Sequence, residues 1–71
     1  MSAASVARSN GWRVGTRLAG DEGYGETVIE ITAIGESNVL AKTVSRAGQY
    51  IDIGRESVWT FDCRDWRVVA R

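Results

Sequence analysis

Histidine and proline are both missing from this chain of 71 residues, and cysteine occurs once, at Cys63. The first absence removes the side chain most often used as a general base near neutral pH and the commonest protein ligand to zinc. With a single thiol besides, one chain can assemble neither a zinc site nor an internal disulfide. Such cysteine usage suits a reducing cytoplasm, and Cys63 reads as a small strand or turn residue rather than an activated thiol. An excess of charge is also lacking: nine basic residues balance nine acidic ones, so no global field draws the chain to nucleic acid or an anionic membrane. No apolar run approaches the roughly 20 residues that cross a bilayer, and the opening residues lack the apolar core of an export signal. The expectation is a cytoplasmic protein that does not enter membranes.

The acids offer little chemistry. Asp21 with Glu22 or Glu26, and Asp62 with Asp65, fall in or beside short turns where water solvates them. The run from Asp21 to Glu26 lacks the alternating acids and the closing bidentate acid of a calcium loop. Gly23-Tyr24-Gly25 precedes no helix that could cradle a phosphate. No catalytic residue, metal ligand or cofactor is expected, and the chain reads as a non-enzymatic protein.

What the sequence does have is alternation. Thr27 to Ile34, Val39 to Ser45 and Ser57 to Phe61 are strand-like runs, preceded by Trp12 to Leu18 and closed by Trp66 to Val69. Five short β-segments in so short a chain predict an all-β fold, a small five-stranded antiparallel SH3-like barrel over residues 11–71. A domain of this size buries roughly 60% of its unfolded surface, so it needs a dense core or a partner. Residues 1–10 are small and polar and read as a mobile arm, with a short helix docked on the barrel as the alternative.

Register follows from the turn. A three-residue loop Gly35-Glu36-Ser37 would place Ala33 opposite Val39, Ile31 opposite Ala41 and Glu30 opposite Lys42. A one-residue slip would turn Lys42 toward the core. Ile29, Ile31 and Ala33 then face inward with Val39, Ala41 and Thr43, while Ile34 faces outward. Val28, Leu40 and Val44 share the outer face, an apolar set that is either covered within the monomer or offered to a partner. Trp59, Phe61 and Trp66 read as core filling. Tyr24 and Tyr50, both in loops, are the aromatics expected at the surface.

Two binding readings follow. In the first, the barrel docks on a protein, either another factor or itself as a homo-oligomer, through Val28, Leu40 and Val44 or through the Tyr24 and Tyr50 loops. The second uses the closeness of first and last strands in such barrels, which would align Arg13 and Arg17 with Arg67 and Arg71 into a stripe able to grip phosphates.

The segments Trp12-Arg13-Val14-Gly15-Thr16-Arg17, Ile31-Thr32-Ala33-Ile34-Gly35-Glu36 with Val39-Leu40-Ala41-Lys42, and Glu56-Ser57-Val58-Trp59 with Asp65-Trp66-Arg67-Val68-Val69 together resemble a group of small actinobacteriophage proteins. That group carries a tryptophan-bearing opening, a Thr-Ala-Ile-Gly-Glu hairpin and a tryptophan-bearing finish on an SH3-like or Tudor-like barrel. The resemblance spans roughly residues 12–69. It implies a viral origin and a host-cytoplasmic setting, where the protein docked on in the first binding reading is a host factor or the chain itself, and it assigns no site residues. Position 41 usually holds a larger apolar residue in that group, so Ala41 implies a bulky neighbour such as Trp59.

Overall fold

The computed structural model describes residues 2–21, 25–46, 49–50, 56–61 and 65–70. The elements run in the order α1 (Ala3–Ser9), β1 (Arg17–Asp21), β2 (Glu26–Ile34), β3 (Val39–Arg46), β4 (Gln49–Tyr50), β5 (Ser57–Trp59) and β6 (Arg67–Ala70). All described ladders are antiparallel, so the fold is all-β with one short helix. β1 lies between β2 and β6, which makes the first and last strands neighbours. β3 pairs with β2 along one side and divides its other side between β4 and β5. The sheet is open: among the described residues no ladder joins β5 to β6. The gap is bridged by rings, with Trp66 edge-on to both Trp59 and Phe61 at centroid distances of 5.9 and 5.8 Å.

The inner face carries the core. Leu18, Ile29, Ile31, Val39 and Ala41 are sealed from solvent, and Ala4, Ala7, Trp12 and Phe61 join them in one cluster. Of the two readings of the first ten residues, the docked helix is the one observed, and the mobile arm is corrected over Ala3–Ser9. The signals for that helix are local. Ser2 is the N-cap, its Oγ accepting the Ser5 amide at 3.1 Å, which satisfies one of the amides that a helix start leaves unpaired. Three alanines supply high helix propensity, and Ala4 and Ala7, three apart, share the buried face. At the other end Gly11 has φ of 72°, with Gly11 N–H bonding to the Arg8 carbonyl and Trp12 N–H to the Ala7 carbonyl. This is the Schellman stop, and its usual apolar contact is met by Trp12 and Ala7 in the common core.

The helix grips the β2–β3 turn. Ala4 N–H donates to the Ser37 carbonyl at 3.1 Å, and the Arg8 guanidinium donates to the carbonyls of Gly35 and Glu36. Residues 12–16, expected to open the first strand, form a turn instead. Thr16 N–H donates to the Arg13 carbonyl at 3.0 Å, with Gly15 at φ of 93°, a conformation that glycine adopts without strain. Alternation survives at Trp12, Thr16 and Leu18, all buried, but Val14 on the turn is 61% exposed.

Register is as expected in the middle of the hairpin and differs at its ends. Glu30 is opposite Lys42 and Ile31 opposite Ala41, but Ala33 faces Leu40 and Ile34 faces Val39. A β-bulge at Thr32 accounts for the difference, because one extra residue on β2 exchanges the faces of everything beyond it. Ile34, expected outside, therefore packs against the core. The bulge leaves the Thr32 hydroxyl buried, with no hydrogen-bond partner among the described residues. Since such a group forgoes its hydration, Thr32→Val is expected to raise stability by about 1 kcal/mol, read as a higher urea midpoint at unchanged slope. A lowered midpoint would show that the hydroxyl is needed.

Candidate functional site

The outer face of the sheet is divided by charge. Arg17, Glu30 and Lys42 stand in register across β1, β2 and β3, and Arg17 Nε bonds Glu30 Oε1 at 2.9 Å. Exposed pairs of this kind add roughly 0–1 kcal/mol, so this band fixes the pairing of strands more than it stabilises them. Two apolar patches lie on either side of it, and they differ in exposure.

Away from the hairpin turn, Ala19 is opposite Val28, and Val28 is opposite Ser45. A second bulge leaves Val44 as the extra residue of β3 here. Ala19 is 2% exposed, Val44 is 7% exposed, and Val28 is half-buried. Val44, expected on the open outer face, is thus closed off, and this patch offers little surface to a partner. Leu40, grouped with Val28 and Val44 from the sequence, stands beyond the charged band and belongs to the other patch.

Toward the turn, Ala33 is opposite Leu40 and Leu40 is opposite Val58. These three residues form an apolar stripe across three adjacent strands. Val58 is 60% exposed, while Leu40 and Ala33 are half-buried. The alternation of Val58 and Thr60 against Trp59 and Phe61 already sets Val58 outward. What sequence reading missed was the β3–β5 pairing, which brings Val58 beside Leu40. On the inner side of the same ladder Trp59 faces Val39, and its indole N–H donates to the Ala41 carbonyl at 3.2 Å.

Three of the four arginines lie among the described residues, and these three do not form one free stripe. Arg13 is exposed on the turn before β1, Arg17 is engaged by Glu30, and Arg67 is ion-paired with Glu26. Arg71 and Tyr24 lie outside the described residues, and Tyr50 is placed by its backbone alone, in β4 opposite Ser45. Among the described residues no three histidine, cysteine, aspartate or glutamate side chains gather as metal ligands would. No described helix is long and apolar enough to cross a membrane.

A profile of the family described as Domain of unknown function (DUF7241) matches residues 1–71. No curated protein and no solved structure matches the chain.

Proposed function

The chain belongs to the DUF7241 family, and we propose that it is a non-enzymatic binding module that docks on protein through the stripe Ala33, Leu40 and Val58. The observation that carries this reading is the exposure of Val58 at the end of a register-matched apolar row. Removing such a side chain from water is worth about 1.5–3 kcal/mol, an energy the isolated chain leaves unused. Among the described acids, Glu26 is paired with Arg67 and Glu30 with Arg17. Those same pairs draw two of the four arginines away from phosphate binding.

The test compares immobilised wild-type chain with Val58→Glu in affinity capture, with and without nuclease. Because Val58 is mostly exposed, the substitution is expected to change folding stability by no more than about 0.5 kcal/mol. Wild type is expected to retain protein in a nuclease-resistant manner, and Val58→Glu to lose it. Capture that is identical for both chains, or that vanishes with nuclease and falls steeply with salt, would overturn the reading.

A further inference from the structure

We infer that the occupant of this surface is a second copy of the chain, joined along the open edge of β5 about a two-fold axis through Val58. The inference rests on the docking reading above and adds the identity and geometry of the partner. β3 occupies one side of β5, and among the described residues no strand pairs with the other. Ser57, Val58 and Thr60 are exposed there.

An open edge presents unpaired backbone groups, and folds usually guard it with a charge, a proline or a bulge. The edge on the opposite side of the sheet has such guards: β6 carries Arg67, and its pairing with β1 is broken by a register shift at Arg17 and Leu18. β5 carries no charge, proline or bulge, and only its length of three residues limits it as an edge. From Glu56 to Phe61 the only charge is Glu56, and the chain contains no proline.

A two-fold contact must be complementary to itself, so that when residue i meets j, j also meets i. Charge excludes an axis through Glu56. Centred on Glu56, the pairing sets two carboxylates face to face, an arrangement that like-charge repulsion opposes. Centred on Val58, Glu56 meets Thr60 of the second copy, Ser57 meets its Trp59, and Val58 meets its own counterpart. No like charges oppose one another in that register. The stripe Ala33, Leu40, Val58 then continues across the axis into the same three residues in reverse order, so the exposed valines cover each other. A contact this short lies at the small end of stable interfaces, which places self-association in the micromolar range or weaker.

Sedimentation velocity from ~10 to ~500 µM suits that range, using wild type, Val58→Lys, Val58→Glu and an equimolar mixture of the two variants. Wild type is expected to move from monomer toward dimer as concentration rises. Each variant alone, with like charges meeting on the axis, should associate at least about tenfold more weakly. The mixture, with opposite charges meeting, should associate again. A wild type that stays monomeric throughout, or a mixture that stays monomeric while wild type dimerises, overturns the inference. Should both variants fail to fold, amide exchange of wild type decides: slowing at Ser57 to Thr60 with rising concentration supports the contact, and concentration-independent exchange overturns it. If wild type is monomeric yet Val58→Glu abolishes capture of another protein, the second copy is refuted and the docking reading stands. If capture is also insensitive to Val58→Glu, both fall.

Discussion

Ile31→Ala is expected to leave much of the chain unfolded at room temperature in buffer. Ile31 is sealed from solvent at the centre of β2, and the residue opposite is Ala41, whose methyl group cannot reach into the space vacated. Truncating a buried isoleucine costs about 2–5 kcal/mol, the upper part of that range applying where neighbours cannot close in. A single core in a domain this small supplies roughly 3–5 kcal/mol in total. The loss and the reserve are of equal size, so a substitution that a larger protein would absorb is decisive here. Ile31 also sits where two parts of the chain join, its N–H donating to the Thr16 carbonyl at 2.9 Å and its carbonyl accepting the Gly15 N–H at 2.8 Å. Urea denaturation followed by tryptophan fluorescence is the measurement. Ile31→Val, which removes one methyl group, is the graded control at about 0.5–1.5 kcal/mol. A cost below about 1 kcal/mol for the alanine variant would be too small for a fully buried isoleucine and would place Ile31 outside the core.

Phe61→Ala should act almost as strongly, through a different part of the molecule. Phe61 lies edge-on to Trp12 at 5.2 Å and to Trp66 at 5.8 Å, and Trp66 continues to Trp59 at 5.9 Å. The four rings form a chain from the end of the helix cap to the gap between β5 and β6. Truncating a buried phenylalanine costs about 3–5 kcal/mol, and each edge-to-face pair contributes about 0.5–1.5 kcal/mol beyond its area. Because ring contacts span the gap that no described ladder closes, the loss should spread to all three tryptophans. Near-ultraviolet circular dichroism is expected to collapse for Phe61→Ala and to be largely kept for Phe61→Leu, which still fills most of the volume. Unchanged aromatic dichroism in the alanine variant would show that the rings are not coupled.

The strands were legible because period-two alternation survives wherever one face is buried. Ile29 and Ile31, and Val39 with Ala41, announce the inner face directly, and the Glu30 and Lys42 pair fixes the middle of the hairpin. Alternation could not show the two bulges, since an inserted residue leaves no mark in a pattern of apolar and polar letters. Thr32 and Val44 are ordinary strand residues, yet they move Ile34 inward and close Val44 off. The helix stood only as the alternative to a mobile arm, for a different reason. Its capping signals, Ser2 at one end and Asn10-Gly11 at the other, are present, but seven residues of small side chains give little amphipathic contrast, and the stabilisation comes from the sheet beneath. The candidate site was half legible. Val58 could be oriented from sequence, but its neighbour Leu40 depends on a pairing between strands separated by residues 47–56, and local patterns do not encode such long-range partnerships.

One consequence follows from how α1 holds the hairpin turn. Ala4 and Arg8 address the carbonyl oxygens of Ser37, Gly35 and Glu36, groups that every amino acid possesses, while the side chains of Glu36 and Ser37 stand in solvent. The latch recognises the path of the main chain and is indifferent to the letters written there. Positions 36 and 37 are therefore the natural place to diversify this scaffold: a library randomised at these two sites can present new chemistry beside an anchored helix without asking the anchor to be redesigned.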